Sequence, residues 1–428
     1  MLQALQQEVT PFLAARRWLV AFSGGMDSTV LLHAVQQTLQ QLPADNKPEL
    51  IALHVHHGMQ AAADEWQQHC ADMAASMGVQ FVAERITLAA NGSRELAARE
   101  ARYRVFARHV QEGDCLLLAH HQDDQAETML YRLCRGAGLH GLGAMRSRRP
   151  FGRGWLLRPL LTCQRQALAS YAAQHELHWV DDPSNCEEHH DRNFLRRQIM
   201  PLLQSRWPQA VASMARAARH LQQAQSLLDE LAELDLLAAG HGNDGEAWLG
   251  IAGLSRLSPA RQNNLLRYWL RQQQLPLSEK QLHTLLSTVI ESQPSAMPAL
   301  RIGGWVLRRY RQRLYLCPAQ PEPLLPCDWH TGGVLHLPDG CCYRLSEPRD
   351  IVLHVRPRCG GEKIRLPGSR HSRLLKTLLQ ERQQPAWRRD RLPLFYYQGE
   401  LLAAGEWLSE QGEAVLRGAR IVRCAPGD

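Results

Sequence analysis

The sequence lacks the features of membrane-spanning, secreted and cysteine-ligated metal proteins. No apolar run in the 428 residues approaches the roughly 18 that a membrane-spanning helix requires. Residues 1–8 show no basic region followed by an apolar stretch, so no signal peptide is indicated. The 11 cysteines are scattered from Cys70 to Cys424 without one Cys-x-x-Cys pair, which argues against zinc-ribbon and iron–sulfur sites. We therefore expect a soluble cytoplasmic protein with reduced cysteines and no membrane partner.

Acidic residues are missing from one long stretch of the chain. None occurs between Glu127 and Glu176, where eight arginines fall. The segment from Arg356 to Arg391 holds eleven Lys or Arg residues against three acidic ones, and its net charge of +8 exceeds the +7 of the whole chain. Two cationic segments suit a long polyanion such as a nucleic acid better than a small metabolite. Two solvated basic faces are the simpler alternative.

The length allows about three domains of about 150 residues each. From Trp18 to about Arg206, strand-like and helical segments alternate, which predicts an α/β domain with a Rossmann-like parallel sheet and ligands at the carboxyl ends of its strands. A long helix from Gln209 to Leu237 leads into a mainly helical domain, and a proline-rich linker precedes a small mixed α+β domain. We predict domains at residues 1–215, 216–318 and 326–428.

A glycine-rich loop follows the apolar run that ends at Phe22 and precedes a stretch with helical spacing. Glycines can adopt positive φ and let the backbone close around an anion, while the next helix directs its first N–H groups and positive dipole end at that anion. Hydroxyl groups can donate to it, and Asp27 places a carboxylate where a phosphate-bound divalent ion can lie. The pattern predicts a phosphate site formed by Ser23, Gly24, Gly25, Met26, Asp27, Ser28 and Thr29. A purely structural turn is the alternative.

This loop is not a Walker A loop, because the chain contains no Gly-Lys pair. Ser-Gly-Gly-x-Asp-Ser after a strand instead resembles the PP-loop of the ATP pyrophosphatase families. Those enzymes cut ATP between the α and β phosphates and hold the departing pyrophosphate. The resemblance implies ATP as a cofactor, with Mg²⁺ near Asp27.

A second polar segment, residues 119–128, follows the apolar run that ends at Leu118. Asp123 and Glu127 are four residues apart and Asp124 and Glu127 three apart, so on a helix these carboxylates share one face. They can stabilise a helix N-terminus, or they can place Mg²⁺ or a substrate ammonium beside the phosphates. Both readings stay open at this point.

A histidine-rich segment that contains His54, His56 and His57 ends another predicted strand. Together with His120 and His121, these histidines would also allow a dinuclear metallohydrolase. That alternative leaves the phosphate loop unexplained.

Two further segments contain candidate functional residues. Residues 136–141 contain Gly-x-Gly-x-x-Gly, but a helix precedes them, so they do not form a dinucleotide fingerprint and we expect an Arg-flanked loop near the nucleotide. Arg192 and Arg196 lie one helical turn apart and can face the same anion, while Ser184 and Asn185 can cap or clamp. A plain helix cap with surface arginines is the alternative.

Taken in order, these segments resemble the motifs of the tRNA(Ile)-lysidine synthetase family. The resemblance extends over the Ser23 loop and the segments 120–128, 135–142, 158–161 and 182–193. Downstream, the segments 360–362, 370–373 and 385–391 resemble the C-terminal domain of that family. The match covers nearly the whole chain.

The resemblance implies a two-step, ATP-dependent ligation of L-lysine to the wobble cytidine in the CAU anticodon of tRNA(Ile). The cytidine oxygen at carbon 2 attacks the α phosphate and releases pyrophosphate, and the lysine ε-amine then displaces AMP. A homodimer is a possible assembly. A PP-loop tRNA enzyme with sulfur or ammonia as nucleophile and a non-catalytic, nucleotide-gated RNA-binding protein are the alternatives.

The resemblance also implies roles for individual residues. Asp27 is expected to bind metal, His54 to bind ATP, and Arg192 to hold the α phosphate or the departing AMP. Asp123, Asp124 or His121 can deprotonate the ε-amine, and the sequence does not choose among them. Expected tRNA contacts are Arg99, Arg102, Arg135, Arg196, Arg370, Arg373 and Lys376. The last three are predicted to follow one side of a helix over residues 372–383.

Overall fold

The computed structural model describes residues 1–43, 47–56, 63–86, 94–180, 191–243, 246–293, 297–320, 322–338 and 341–424. The chain forms two compact units, Met1–Leu227 and Leu228–Asp428. The three domain boundaries given above stay a prediction. The predictions for His57, Ser184 and Asn185 concern residues outside the described ranges.

The described part of the first unit contains one six-stranded sheet and ten α-helices, the last of which continues into the second unit. The strands are β1 (Arg17–Ala21), β2 (Glu49–His56), β3 (Gln80–Arg85), β4 (Asp114–Leu117), β5 (Arg148–Phe151) and β6 (Gly154–Leu157). The helices are α1 (Leu2–Val9), α2 (Met26–Gln40), α3 (Ala63–Ser76), α4 (Arg94–His109), α5 (Gln122–Cys134), α6 (Leu139–Leu142), α7 (Arg165–Gln174), α8 (Asp191–Phe194), α9 (Met200–Arg206) and α10 (Ala210–Ala239). A π-helical turn, Leu195–Ile199, joins α8 to α9.

The sheet has the order β3-β2-β1-β4-β6-β5, with every neighbouring pair parallel except β5 and β6. Both of its faces are buried. Trp18 and Val20 pack with α2 and α7 residues on one face, while Leu19 packs against Val105 of α4 on the other. Near-continuous apolar strands are typical of a parallel sheet covered on both sides. The predicted Rossmann-like sheet is confirmed.

The described part of the second unit contains four antiparallel sheets. Its strands are β7 (His241–Asn243), β8 (Ala247–Gly250), β9 (Ala299–Ile302), β10 (Trp305–Tyr310), β11 (Arg313–Pro318), β12 (Cys327–His330), β13 (Leu335–His336), β14 (Cys342–Leu345), β15 (Val352–Arg356), β16 (Lys363–Ile364), β17 (Arg373–Leu374), β18 (Leu394–Tyr397), β19 (Glu400–Ala404), β20 (Trp407–Leu408) and β21 (Ile421–Cys424). Its helices are α11 (Ile251–Leu254), α12 (Pro259–Gln272), α13 (Glu279–Thr284), α14 (Leu375–Glu381), α15 (Ala386–Arg389) and α16 (Glu410–Leu416), with a π-helical turn at Leu285–Ile290.

The region predicted to be mainly helical contains more strand than expected. Helices α12 and α13 pack on a five-stranded sheet with the order β7-β8-β11-β10-β9. A second core, around Phe395 and Leu353, supports the β12-β15-β18-β19-β20 sheet of the mixed C-terminal part.

The predicted helix over residues 372–383 is wrong at its start. Leu374 is extended (ψ 126°) and pairs with Lys363, so α14 begins only at Leu375. Arg373 therefore lies in the short strand β17, where it forms an ion pair with Glu381. Arg370 precedes that strand and only Lys376 is helical, so the three basic residues do not share one helix face.

Candidate active site

The site lies at the topological switch point of the parallel sheet, where β2 and β4 are added on opposite sides of β1. Strand β1 pairs with β2 on one side and with β4 on the other, with Val20 opposite Leu117. The loops that follow β1 and β4 therefore leave the same edge of the sheet side by side. Ligands of open α/β sheets bind at this kind of switch point.

The loop after β1 is tightly folded. Gly24 has φ +80°, and a Cβ built on it would lie 2.6 Å from the Sγ of Cys70. Gly25, with φ −79°, precedes the first residue of α2, Met26. Only Gly24 of the two glycines uses the conformation that other residues avoid.

Hydroxyl groups close the loop and α2 opens without a side-chain cap. The Ser28 Oγ donates to the Gly25 carbonyl at 2.9 Å and lies 3.1 Å from the Ser23 Oγ. The N-terminal turn of α2 has no side-chain cap and carries Asp27. Such a helix end attracts an anion. Among the described residues, the buried Asp27 Oδ1 and Thr29 Oγ1 have no hydrogen-bond partner.

Three carboxylates converge on His121. Its Nε2 lies 3.5 Å from Asp27 Oδ2 and 3.4 Å from Asp124 Oδ2, and its Nδ1 lies 3.6 Å from Asp123 Oδ2. The structure thus brings the β1 loop and the β4 loop together as the sequence predicted. Burial disfavours a charged imidazole, but Asp123 and Asp27 outweigh it and raise the pKa of His121 to about 10.

Asp124 organises the start of α5. The His121 backbone N–H donates to its Oδ2 at 3.0 Å, and its side chain is buried. Burial alone would raise the pKa of Asp124, but the charges of His121 and Arg192 lower it well below its usual range. Asp123 accepts from the Arg165 backbone N–H at 2.9 Å and keeps 28% of its side chain exposed.

The two predicted anion-binding arginines face carboxylates of α5. Arg192 lies 2.8 Å from Asp124 Oδ1 and 3.3 Å from Glu127 Oε2. Arg196, one turn later, lies 2.8 Å from Asp124 Oδ1 and 2.7 Å from Glu127 Oε1. Glu127 is almost fully buried, whereas the arginine side chains are 36% and 39% exposed. The sequence placed Glu127 on one helix face with Asp123 and Asp124, but its ion pairs with the two arginines were not predicted.

His54 supports the loop from within the sheet. Its Nδ1 lies 2.9 Å from the carbonyl oxygen of Phe22, the last residue before the loop. Burial lowers the pKa of His54, which keeps the ring neutral. The structure gives it a contact with the loop backbone, and its predicted role in ATP binding stays a prediction.

Three of the four predicted tRNA-binding arginines of the first unit lie on its surface, whereas the fourth, Arg196, pairs with Asp124 and Glu127. Arg99 and Arg102 are exposed on α4, and the Arg99 guanidinium stacks over Tyr103 at 5.2 Å. Arg135 follows α5 and stacks over Tyr131 at 5.3 Å. Their role in RNA binding stays a prediction.

The residues present fit Mg²⁺ at Asp27. Mg²⁺ is commonly held by one or two carboxylates together with substrate phosphates, so it needs no cage of protein ligands. The unpartnered Asp27 Oδ1 is a suitable oxygen at the end of a phosphate-binding loop. The described residues contain no group of three or more His, Cys, Asp or Glu side chains arranged to hold a metal. They also contain no helix that is long and apolar enough to cross a membrane.

Three family models match consecutive parts of the chain: a PP-loop domain over residues 1–203, a TilS substrate binding domain over 249–315 and a TilS substrate C-terminal domain over 353–422. A tRNA(Ile)-lysidine synthase from Pseudomonas aeruginosa is 46% identical over 410 residues, which are 93% of this chain and 91% of that protein. The chain belongs to the tRNA(Ile)-lysidine synthase family. Members from Pseudomonas fluorescens and Serratia proteamaculans are 43% and 41% identical, with 96% and 94% of this chain and 94% and 93% of those proteins covered.

Membership of the lysidine synthase family confirms the predicted resemblance and the prediction of an ATP-using enzyme with a PP-loop. Among solved structures, the U34-tRNA thiolase NcsA from Methanococcus maripaludis matches with a TM-score of 0.44 and 17% identity, over 52% of this chain and 77% of that chain. The family assignment rests on the sequence relatives. The individual roles of the site residues stay predictions.

Proposed function

We propose that this protein ligates lysine to the wobble cytidine of tRNA(Ile) through an adenylated cytidine, with release of pyrophosphate and then AMP. The observation that carries the proposal is the convergence of Asp27, Asp123 and Asp124 on His121 at 3.4 to 3.6 Å, beside a PP-loop. An anion-binding loop and a carboxylate cluster suit a reaction in which ATP activates one substrate and an amine then displaces AMP from it.

In the first step, the backbone N–H groups at the start of α2 hold the phosphates of ATP. The cytidine oxygen at carbon 2 attacks the α phosphate, and the bond to the bridging oxygen breaks as pyrophosphate leaves. Mg²⁺ bound at Asp27 would offset the negative charge that develops on the phosphates. Donors fixed before the reaction stabilise this charge without reorganisation.

Arg192 and Arg196 complete the phosphate side of the site. Both guanidinium groups are fixed by Asp124 and Glu127, yet more than a third of each side chain is exposed. Arg192 contacts the α phosphate or the AMP leaving group with the part of its guanidinium that faces solvent. A guanidinium already oriented by carboxylates loses little freedom when it binds this anion.

In the second step, the lysine ε-amine attacks carbon 2 of the cytidine ring, gives up a proton and displaces AMP. Two arginines pair with Asp124, which disfavours its protonation, and Asp123 and Asp27 raise the pKa of His121 against the effect of its burial. Asp123 is the more exposed of the two aspartates that begin α5. It therefore binds the ε-ammonium and takes a proton from it, which frees the nitrogen lone pair for attack on carbon 2.

Several expectations complete the proposal. L-lysine and tRNA(Ile) with a CAU anticodon are the substrates, the enzyme acts in the cytoplasm, and a homodimer is its possible assembly.

The experiment is incubation of the protein with ATP, labelled lysine and bulk tRNA. We expect the label to enter tRNA only when ATP is present, together with release of pyrophosphate and AMP. Pyrophosphate release without lysine incorporation would contradict the proposal and favour an enzyme with another nucleophile. Absence of both would favour RNA binding without catalysis.

The matched control for this experiment is Asp27→Asn, which keeps the size of the side chain and removes its charge. We expect this variant to bind tRNA and to incorporate no lysine.

A further inference from the structure

The first unit contains a cavity of about 580 Å³ that the proposed chemistry does not use. Its walls come from α4, α5, the segment 139–146, strand β5 and the middle of α10. Ligand pockets in proteins commonly have volumes of roughly 300 to 1,000 Å³. The space is therefore large enough for a nucleotide and larger than a lone phosphate needs.

The cavity is strongly cationic. Five arginines line it, and Glu100 is the one acidic residue among the described residues of its wall; the five are Arg99, Arg132, Arg146, Arg149 and Arg158. Burial and then the charge of Arg99 lower the pKa of Arg132. Positive charges that oppose one another in this way favour an anionic ligand, and they disfavour an amine such as the lysine side chain.

Two of the arginines build the wall. Arg132 Nη1 donates to the carbonyl oxygens of Gly141 and Ala144 at 2.8 and 2.9 Å, and Arg158 Nη1 donates to that of Arg146 at 2.8 Å. These bonds fix the glycine-rich segment after α5 in place. Arg99 and Arg146 line the cavity and are exposed, so their guanidinium groups are available to a phosphate.

The cavity also offers surfaces for a base. Tyr103 lies in its wall with the Arg99 guanidinium over its ring at 5.2 Å, and Leu139 and Leu221 add apolar area. Unpaired RNA bases stack on aromatic rings and on arginine planes, which distinguishes them from a bare phosphate ion.

A hydrogen bond links the cavity to the reaction site. Arg158 Nε lies 3.3 Å from His120 Nδ1, and the next residue, His121, is the centre of the carboxylate cluster. A nucleotide held in the cavity thus lies on the other side of this histidine pair from the PP-loop.

We propose that the cavity binds one unpaired nucleotide that flanks the reacting base of the RNA, with its phosphate at Arg99 and Arg146 and its base at Tyr103. This inference rests on the proposed function, because it takes the substrate to be a tRNA. It adds a subsite that positions the RNA strand beside the PP-loop.

The test compares two double variants with the same change in charge. Arg99→Gln/Arg146→Gln removes two exposed cations of the cavity wall, whereas Arg104→Gln/Arg148→Gln removes two exposed cations that do not line the cavity, Arg104 on α4 and Arg148 at the start of β5. Binding of a tRNA(Ile) anticodon stem-loop is measured against salt concentration, without ATP or lysine. The cavity variant should bind at least about tenfold more weakly, with a log–log salt slope reduced by roughly 0.7 to 0.9 per lost phosphate contact. The control variant should stay within about threefold of wild type.

A second measurement tests whether the base of the bound nucleotide contacts Tyr103. Stem-loops with one abasic nucleotide each are compared on wild type and on Tyr103→Leu, with thermal unfolding as the folding control. One abasic position should weaken binding to wild type and have no further effect on Tyr103→Leu. Equal losses in the two double variants, or abasic effects that are the same on both proteins, would overturn the inference.

The outcome also separates this inference from the proposed function. Lysine incorporation by wild type without a cavity effect refutes the subsite alone. A cavity effect without lysine incorporation refutes the proposed reaction alone.

Discussion

Replacing Gly24 with alanine should disable the PP-loop through backbone strain and one close contact. The backbone at Gly24 has φ +80°, which disfavours any residue with a Cβ. In addition, the new methyl group would lie 2.6 Å from the Sγ of Cys70, a fully buried residue of α3. Because Cys70 is fully buried and has little room to shift, we expect the loop to move away from its native conformation.

The two costs can be separated. A non-glycine residue in the left-handed region costs about 1–2 kcal/mol, and overpacking in a core costs about 1–3 kcal/mol. Together they amount to about 2–5 kcal/mol. If the loop relieves this cost by moving, ATP affinity falls by at least about tenfold, since 1.4 kcal/mol corresponds to a factor of 10. In Gly24→Ala/Cys70→Ala the overlap is gone, so about half of the loss should be recovered relative to Cys70→Ala alone.

The assay is the dissociation constant of ATP, with the midpoint of thermal unfolding measured alongside. Gly25→Ala is the matched control, because Gly25 has φ −79° and its Cβ would come no closer than 3.6 Å to a neighbour. For this control, the free energies of ATP binding and of unfolding should each fall by less than about 1 kcal/mol. Wild-type ATP affinity and thermal stability in Gly24→Ala, or no recovery in the double variant, would refute the reasoning.

Three further predictions concern charged groups. Asp27→Asn should slow single-turnover pyrophosphate release by at least about a thousandfold with an unchanged circular dichroism spectrum, and near-normal release would exclude the metal role. Glu246→Gln breaks a buried cluster with Trp387, Arg388 and Arg391 and should destabilise the second unit by about 3–5 kcal/mol in urea at neutral pH. Burial opposes charge on Glu246, but Trp387 and Arg388 lower its pKa below the usual 4.5. The stabilisation is therefore complete above pH 4.5 and should disappear as the pH falls through the lowered pKa. A stability difference between wild type and Glu246→Gln that stays unchanged in acid would contradict this prediction. Changing Arg370, Arg373 and Lys376 to Glu should weaken tRNA binding and flatten its salt dependence, whereas a wild-type slope would make them solvated surface charges.

Local patterns predicted much of the first unit. The apolar runs at β1, β2 and β4 and the helical spacing of α2 and α5 agree with the structure within a few residues. Strand β5 was missed, because Arg148–Phe151 is a short antiparallel edge that contains a proline and has no apolar alternation. In the sheet of β7 to β11, the sequence indicated a strand-like segment over residues 301–316, which covers β10 and parts of β9 and β11, whereas the short strands β7 and β8 were missed.

The sequence allowed candidate residues of the site to be named, but it did not predict the contacts between them. The loop residues and the acidic pair after β4 could be named, since parallel strands deliver such loops to one edge. The pairing of Arg196 with Glu127 joins residues 69 positions apart, and no local pattern contains it. The contact between Gly24 and Cys70 likewise depends on how α3 packs on the sheet. The wrong start of α14 has a similar cause, because pairing with β16 overrides the helical spacing of residues 372–374.

In the proposed reaction, ATP activates the RNA base and not lysine. The most direct measurement is incubation of the protein with tRNA(Ile) and ATP labelled in the α phosphate, before any lysine is added. We expect that pyrophosphate is released, that the label becomes attached to the tRNA, and that added lysine then converts the attached label to free AMP. Label that stays in ATP until lysine is present, or that appears on lysine, would contradict it.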